Sequence, residues 1–371
     1  MNYINMALWY TIDNIAQLDT PALVVYPDRV RENIHNAVAL VGDPARLRPH
    51  VKTHKSPAVT RMLLEAGVRQ FKCATIAEAE MLAMEGAPDV LLAYQPIGPK
   101  AVRLVELIRR YPGTKFSCLI DNEAATRAMA EVYIAAGGNV PVWLDINVGM
   151  DRTGIAPGAV AERLWELAAG LQGITPVGLH AYDGHIRDAD PAAMAAKVDA
   201  AFAGVWALRE NLGGPAVPVI AGGSPTFPVH AQNPAVQCSP GTFVYWDKGY
   251  ADQFPGQPFK PAALVVSRVI SLRGDNRVCT DLGHKSIAAE NEIAKRVSFL
   301  NVQGLRPVGQ SEEHLVLDAG AGQAVRIGDI LYGVPFHVCP TVALYDRAYT
   351  VEDGRVTGEW KNIARDRKLT V

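Results

Sequence analysis

Short apolar runs alternate with amphipathic, helix-like segments along the first two thirds of the chain, and this alternation constrains the fold more than any other feature. Apolar runs bounded by turn-forming residues predict strands, and apolar residues three or four positions apart predict helices. The eight predicted strands lie at 21–26, 47–53, 70–76, 89–95, 116–121, 140–148, 174–182 and 216–223. A predicted helix follows each of them except the last.

This order predicts parallel strands joined by right-handed crossovers. Eight such units indicate a closed (β/α)8 barrel of the TIM type, over residues 18–248, rather than an open doubly wound sheet. The pattern changes after about residue 250, where short strand-like segments are separated by Gly, Pro and Asp. Residues 249–371 therefore predict a smaller all-β domain, to which residues 1–17 are expected to add.

Composition excludes several classes of protein. The 371 residues carry 36 basic and 38 acidic side chains, a balance that does not indicate nucleic acid or a membrane surface as a partner. No apolar run has the length of a membrane span, and the N-terminus lacks a signal pattern, so we expect a cytoplasmic protein. The five cysteines are odd in number and widely spaced, which predicts reduced thiols rather than disulfides.

Lys52 closes the second predicted strand, within the basic run Arg48-Pro-His-Val-Lys-Thr-His-Lys55. The carboxyl ends of barrel strands are where catalytic groups collect. Basic neighbours and a dry barrel wall favour the neutral form of a lysine, which is an amine nucleophile. A solvated basic loop is the alternative interpretation of this segment.

A glycine-rich turn follows the eighth predicted strand, and its residues Gly222, Gly223 and Ser224 predict a phosphate site. Loops at this end of such barrels commonly bind phosphate through backbone N–H groups, which glycine leaves accessible. The turn at Gly241-Thr242 could close the other side of the site. An ordinary glycine turn is the alternative.

His180 and Tyr182 alternate at the end of the seventh predicted strand, and His185 follows in the loop. Side chains at this place could hydrogen-bond a cofactor ring or act as a general base. His180 could equally be a core histidine. In the loop after the sixth predicted strand, Arg152 could belong to the same site or to a buried Asp–Arg pair that only orders the barrel mouth.

His337 and Cys339 form a His-X-Cys motif near the C-terminus. Residues two apart on an extended chain face the same side, so imidazole and thiolate could bind one metal ion. This pair suits Zn²⁺, and two protein ligands leave positions for water or substrate. A buried cysteine beside a hydrogen-bonded histidine is the alternative.

Together these motifs resemble the D-threonine aldolase and D-serine dehydratase family of fold-type III pyridoxal-phosphate enzymes, which are related in architecture to alanine racemase. The resemblance runs along nearly the whole chain and includes the Lys52 run, the Gly178-Leu-His-Ala-Tyr182 segment, Gly222-Gly-Ser224 and the His337-Val-Cys-Pro-Thr341 motif. It implies an alanine racemase-like barrel with a smaller β domain, and a homodimer.

The resemblance also implies roles for single residues. Lys52, and not Lys55, is the lysine that carries pyridoxal 5'-phosphate. The remaining cofactor contacts are His50, Arg152, Tyr182 beside the pyridine ring, and the phosphate-binding residues Gly222, Gly223, Ser224, Gly241 and Thr242. His337 and Cys339 are the ligands of a divalent metal, Zn²⁺ or Mn²⁺.

The resemblance implies a lyase acting on small D-β-hydroxy-α-amino acids. The leading hypothesis is retro-aldol cleavage to glycine and an aldehyde, with His185 or His180 as general base. A D-serine or D-3-hydroxyaspartate dehydratase is the alternative, and a racemase or a non-catalytic cofactor carrier are weaker ones. Two departures bear on this choice. Asp188 stands where aldolases carry a histidine, and Cys339 where some carry aspartate.

Overall fold

The computed structural model describes residues 8–320 and 324–371. Within these ranges the chain forms ten α-helices. They are α1 (Pro27–Val41), α2 (Pro57–Glu65), α3 (Ile76–Met84), α4 (Pro99–Arg110), α5 (Glu123–Ala135), α6 (Ala159–Gly170), α7 (Pro191–Leu212), α8 (Phe227–Ala231), α9 (Lys248–Gln253) and α10 (Val338–Val342). Side-chain caps explain several helix starts, because Thr75, Asn122 and Asp190 each accept a hydrogen bond from a first-turn N–H group. None of the described helices is long and apolar enough to cross a membrane.

The same ranges contain sixteen strands. They are β1 (Ala22–Val25), β2 (Gln70–Cys73), β3 (Asp89–Leu92), β4 (Lys115–Ile120), β5 (Val140–Ile146), β6 (Ile174–Ala181), β7 (Val219–Ala221), β8 (Val236–Cys238), β9 (Ala263–Arg273), β10 (Arg277–Thr280), β11 (Val297–Phe299), β12 (Arg306–Gln310), β13 (Leu315–Asp318), β14 (Ile330–Pro335), β15 (Arg347–Glu352) and β16 (Arg355–Lys361).

Strands β2 to β8 form a seven-stranded parallel sheet in sequential order. The segment 47–50 lies between its two edges, because Leu47 pairs with Cys238 of β8 and His50 pairs with Lys72 of β2. The Arg48 N–H donates to the Cys238 carbonyl at 2.8 Å, and the Lys72 N–H donates to the Pro49 carbonyl at 2.9 Å. With the segment 47–50 as the first member in chain order and β2 to β8 as the other seven, the curved sheet closes into a barrel, and the predicted barrel is confirmed.

Two strand predictions were wrong. The run 21–26 is not the first barrel strand, since β1 pairs with β9 antiparallel and with β15 parallel in the other sheet. The barrel instead includes β8, a three-residue strand that the sequence analysis missed. So short a run, between Asn-Pro and Ser-Pro pairs, carries too little periodicity to be recognised.

The described residues form two compact units. Residues 34–243 and 366–371 form the barrel unit, and residues 8–33 and 244–365 form the β unit. Residues 18–33 thus lie with the β unit rather than in a barrel domain of 18–248, because β1 finds its hydrogen-bonding partners there. The chain returns to the barrel unit at its last six residues. Of the segment 1–17, residues 1–7 lie outside the described ranges.

The β unit is built on one sheet with the order β12-β13-β10-β9-β1-β15-β16, and β14 pairs with both β9 and β11. Its core joins Tyr10, Ile12 and Leu18 to apolar residues of β1, β9, β14 and β15. The predicted smaller, mostly β part of the chain is therefore confirmed.

Candidate functional site

Lys52 lies where the segment 47–50 leaves the barrel and turns into a 3-10 helix, Val51–Thr53. His50 stabilises this turn, because its Nδ1 accepts a hydrogen bond from the Lys52 N–H at 3.3 Å. Lys55 is held differently: its ammonium pairs with the carboxylate of the buried Glu78. Of these two lysines, Lys52 lines the cavity at the barrel mouth.

That cavity has a volume of about 700 Å³ and lies entirely within the barrel unit. Its polar wall is formed by His50, Lys52, Gln95, Lys100, Asp121 and Arg152. Three of these side chains are cationic and one is an acid, so the cavity favours a ligand with negative charge. Its volume suits a small cofactor together with a substrate.

The ring of Tyr182 lies near both Lys52 and Arg152. The Arg152 guanidinium carbon lies 5.1 Å from the centroid of its ring, and the Lys52 Nζ lies 5.9 Å from it. A Cβ atom at residue 223 would lie 3.0 Å from Tyr182 Cε2, so glycine there allows the turn to pack against the ring. Three residues that were predicted separately, Lys52, Arg152 and Tyr182, therefore meet around one ring.

The two predicted phosphate turns also meet. Gly222, Gly223 and Ser224 follow β7, and Gly241 and Thr242 follow β8. Ser224 Oγ accepts hydrogen bonds from the Thr242 N–H at 3.1 Å and from the Gly241 N–H at 3.4 Å. The turns thus follow the seventh and eighth barrel members, which is where barrels of this type commonly bind phosphate.

A buried scaffold that the sequence analysis missed supports the first of these turns. Asp183 Oδ2 lies 2.7 Å from His230 Nε2, and its Oδ1 accepts a hydrogen bond from Thr226 Oγ1 at 2.8 Å. Thr226 Oγ1 in turn accepts from the Gly223 N–H at 3.4 Å. Asp183 and His230 are 47 positions apart in the sequence. No local sequence pattern therefore predicts that they pair.

His180 is buried and paired with Asp145. Its Nδ1 lies 2.8 Å from Asp145 Oδ1, and Asp145 Oδ2 accepts from Thr153 Oγ1 at 2.9 Å and from Gln95 Nε2 at 3.2 Å. Burial lowers the pKa of His180, which the Asp145 hydrogen bond only partly opposes. Burial would raise the pKa of Asp145, but the hydrogen bonds from His180, Thr153 and Gln95 lower it below its usual range.

A carboxylate beside a neutral imidazole fixes the tautomer of the imidazole. The Nδ1–H of His180 then donates to Asp145, and Nε2 carries a lone pair. That Nε2 is buried, and it has no hydrogen-bond partner among the described residues. A group bound beside it could complete its hydrogen bonding, and the imidazole could take a proton there.

His185, the other predicted base, is an exposed side chain in the loop after β6. Its Nε2 packs close to Gly149, where an added Cβ would approach to 2.9 Å. Asp188, six residues after Tyr182, forms an exposed ion pair with Lys197 at 2.7 Å. The barrel unit therefore brings His180, and not His185, into the polar cluster around the cavity.

Lys72 is a further basic residue that the sequence analysis passed over as part of a strand. It is 2% exposed, and its ammonium donates to Ser239 Oγ at 2.5 Å. Its Nζ lies 5.8 Å from the centroid of the Tyr182 ring. Burial, and then the charge of Lys52, lower the pKa of Lys72 to about 7. A lysine between the apolar residues Phe71 and Cys73 of a short strand was the sequence signal that could have identified it.

His337 and Cys339 belong to the β unit. The expectation that they lie on an extended strand was wrong: His337 precedes α10, and Cys339 lies in its first turn. His337 Nδ1 lies 2.5 Å from Glu290 Oε1. Burial alone would lower the pKa of His337, but hydrogen bonding to Cys339 and Glu290 raises it to about 9. The two predicted ligands are therefore in contact despite the change of local structure.

The donor set is compatible with an open metal site. Glu290 hydrogen-bonds to Nδ1 of His337. A carboxylate on one imidazole nitrogen is the arrangement that orients the other nitrogen toward a metal. The described residues contain no group of three or more His, Cys, Asp or Glu side chains that could hold a metal ion. Water or substrate would have to supply the remaining ligands.

Comparisons with known protein families identify both parts of the chain. Residues 25–248 match the model of the alanine racemase N-terminal domain. Residues 262–351 match a model of a serine dehydratase domain. The first match covers more than half of the chain and includes every residue predicted to contact the cofactor.

Individual relatives match over almost their whole length. A D-threonine aldolase from Arthrobacter sp. is 29% identical over 95% of this chain and 94% of its own. A D-threo-3-hydroxyaspartate dehydratase from Delftia sp. is 25% identical over 90% of this chain and 94% of its own. The crystal structure of D-threonine aldolase from Filomicrobium marinum superposes with a TM-score of 0.86, at 29% identity, over 95% of this chain and 96% of that one.

Proposed function

Because the chain belongs to the family of the alanine racemase N-terminal domain, we propose that it is a pyridoxal-phosphate-dependent lyase. Its substrates are small D-β-hydroxy-α-amino acids, and its reaction is retro-aldol cleavage to glycine and an aldehyde. The observation that carries the proposal is that Lys52 and Arg152 line one cavity and both lie within 6 Å of the Tyr182 ring, against which the turn after β7 packs. The similarity to D-threonine aldolases supports the choice of reaction.

The residues present fit pyridoxal phosphate. Lys52 would supply the amine that holds the cofactor. Phosphate contacts would come from Gly222, Gly223, Ser224, Gly241 and Thr242, and Tyr182 and Arg152 would lie beside its ring. The buried lone pair of His180 Nε2 is a further polar atom for a bound group to meet. When bound, the cofactor withdraws electrons from the α-carbon of the substrate.

The proton in this reaction leaves the β-hydroxyl group, and we assign its acceptor to His180. The Asp145 carboxylate orients His180 and stabilises the imidazolium that forms, as the acid of a catalytic triad does. His185 is the second candidate. His337 and Cys339 would hold a divalent metal, Zn²⁺ or Mn²⁺, which makes a bound hydroxyl group more acidic.

A dehydratase is the second candidate function, and two observations favour it. The C-terminal part of the chain matches a serine dehydratase domain, and a D-threo-3-hydroxyaspartate dehydratase is among the relatives. In that reaction the amine of Lys52 removes the α-proton, and the β-hydroxyl leaves. The products are a 2-oxo acid and ammonia instead of glycine and an aldehyde.

Product analysis with D-threonine separates the two reactions. Purified protein is supplied with pyridoxal phosphate and Mn²⁺ or Zn²⁺, and Lys52→Ala serves as the control variant. Glycine and acetaldehyde are the expected products, and Lys52→Ala loses both turnover and the visible absorbance of the bound cofactor. 2-Oxobutanoate and ammonia would establish the dehydratase. A Lys52→Ala protein that kept colour and activity would contradict the whole assignment.

A chelator added to the same assay tests the metal. Activity should be lost in excess chelator and return when Mn²⁺ or Zn²⁺ is restored, because a metal-bound hydroxyl is the better acid. Full activity without metal would remove His337 and Cys339 from the mechanism and return a racemase to consideration. The homodimer and the cytoplasmic location remain predictions.

A further inference from the structure

Among the residues that the structure describes, Lys72 is the one buried amine beside the candidate cofactor site to which the proposed function gives no part. It lies on β2, within the barrel wall, and it faces the same aromatic ring as Lys52. Their Nζ atoms lie 5.8 and 5.9 Å from the centroid of Tyr182. A barrel interior that needed only to be filled would carry an apolar side chain at this position.

Among the described residues, no acidic side chain forms an ion pair with Lys72. The acids that act on it from a distance are Asp145 and Asp183, and each of them is hydrogen-bonded to a histidine. The cations that act on it are Lys52 and Arg48. His50 and His180, which it influences in turn, are buried and have lowered pKa values. An unpaired buried ammonium is costly, and proteins keep such groups chiefly at functional sites.

Lys72 is also connected to the phosphate turns through one side chain. Its ammonium donates to Ser239 Oγ, and Ser239 Oγ can donate to the Gly222 carbonyl at 2.9 Å or to the Ala221 carbonyl at 3.2 Å. Ser239 is buried and directly follows β8. A single chain of hydrogen bonds therefore runs from β2 to the turn that is predicted to hold the cofactor phosphate.

We propose that Lys72 is a positioning residue that places a positive charge inside the barrel, next to the cofactor carried by Lys52. Its charge opposes protonation of the nitrogen that joins Lys52 to the cofactor. The Ser239 relay holds that charge in place and ties it to the phosphate turn. This inference rests on the proposed function, because it concerns the same cofactor site.

The coupling already visible between the two lysines supports this role. The Lys52 charge contributes to the lowered pKa of Lys72, so positive charges at these two places repel each other. A charge on Lys72 therefore disfavours a positive charge on a group bound beside it. The effect is largest where water is excluded, which is the condition of Lys72.

The pH dependence of the visible absorbance of the bound cofactor tests the proposal without measuring turnover. Wild-type protein, Lys72→Met and Ser239→Ala are loaded with pyridoxal phosphate and titrated from pH 5 to 8, the range in which the Lys72 amine carries charge. Removing the Lys72 charge should raise the midpoint of the absorbance change by about 0.5–1 pH unit. Ser239→Ala should raise it less, because the ammonium loses an acceptor but stays in place.

Lys115→Met is the matched control. It removes the same charge from the first residue of β4, at the opposite end of the barrel strands, where the side chain is exposed. Its midpoint should stay within about 0.2 pH unit of wild type, since solvent screens an exposed charge. Lys72→Arg keeps the charge and should restore the wild-type midpoint at least in part.

Equal midpoints for wild type and Lys72→Met would overturn the inference and leave the proposed function standing. If Lys72→Met does not fold, as judged by its melting temperature, Ser239→Ala decides the question by the same criterion. A wild-type protein that takes up no pyridoxal phosphate would refute the proposed function itself, and the inference would fall with it.

Discussion

At the scale of single residues, lysines three positions apart have different surroundings. Lys55 has a left-handed backbone, with φ of +52°, and its ammonium is held by Glu78, whose other oxygen accepts from the Ala74 N–H at 2.7 Å. Lys52 lies on the 3-10 turn with its side chain in the cavity. The motif places both lysines at the barrel mouth. The buried acid that pairs with Lys55 is Glu78, which lies 23 positions further along the chain.

Arg48 is a buried cation that hydrogen-bonds to side chains of β2, β3 and β8. It is 1% exposed, and it donates to Asp89 Oδ1 at 2.6 Å and to the side-chain oxygens of Gln70 and Gln237 at 3.0 Å. Arg48→Ala should lower the free energy of unfolding by about 2–4 kcal/mol, because it leaves a partly buried carboxylate without its partner. Urea denaturation measures the loss.

Arg31→Ala is the control for this prediction. The Arg31–Asp28 ion pair, at 2.5 Å, is about as short as the Arg48–Asp89 pair, but both of its side chains are more than 60% exposed. Its loss should cost less than about 0.5 kcal/mol. Equal effects of the two substitutions would show that Arg48 is not a structural element of the barrel.

At the scale of elements, the turns after β7 and β8 act as one unit. Each is short and contains glycine, and Ser224 Oγ connects them by accepting two backbone hydrogen bonds. The sequence motifs predict both turns, the first of them at the end of a predicted eighth strand. Counting the segment 47–50 as the first barrel member makes them the seventh and eighth turns, which strengthens the phosphate interpretation.

Gly241→Ala tests this unit. A Cβ at this position would lie 2.8 Å from the His50 backbone carbonyl oxygen, which cannot move without displacing the Lys52 turn. We expect the dissociation constant for pyridoxal phosphate to rise about tenfold or more, which corresponds to at least about 1.4 kcal/mol. Titration of the visible absorbance measures it.

Gly113→Ala is the comparison, because no heavy atom lies within 4 Å of its added Cβ. It should bind the cofactor as wild type does. If Gly241→Ala did the same, the turn after β8 would have no part in holding the phosphate, and the site would have to lie elsewhere around the cavity.

At the scale of the whole molecule, buried histidines that are neutral in the folded protein make the free energy of unfolding depend on pH. Burial lowers the pKa of His50 well below its usual range, and it lowers the pKa of His54 to about 3. The unfolded chain then binds more protons than the folded one below about pH 6.5. Stability is therefore present above that pH and is lost as the pH falls.

His54→Asn isolates one of these groups. His54 Nδ1 accepts a hydrogen bond from the Ser56 N–H at 3.1 Å, and an asparagine oxygen can take the same place without titrating. Between pH 7 and pH 5 the variant should lose about 2 kcal/mol less stability than wild type. Thermal unfolding across that range measures the difference.

His35→Asn changes an exposed histidine and should leave the pH dependence as it is in wild type. The prediction fails if His54→Asn and wild type lose stability in parallel, because His54 would then have to be charged, or accessible to solvent, in the folded protein.

The sequence by itself determined the β/α alternation, the smaller β part, and the residue types of the candidate site, because these depend on local periodicity and short motifs. Tertiary structure decided which segment closes the barrel, since the pairing of 47–50 with β8 and β2 joins residues far apart in the chain. It also decided that β1 leaves the barrel, that His180 rather than His185 is oriented by a buried acid, and that Lys72 faces Tyr182. The reason is the same in each case: a hydrogen bond or a buried charge depends on partners that fold into reach from elsewhere, and no local pattern encodes them.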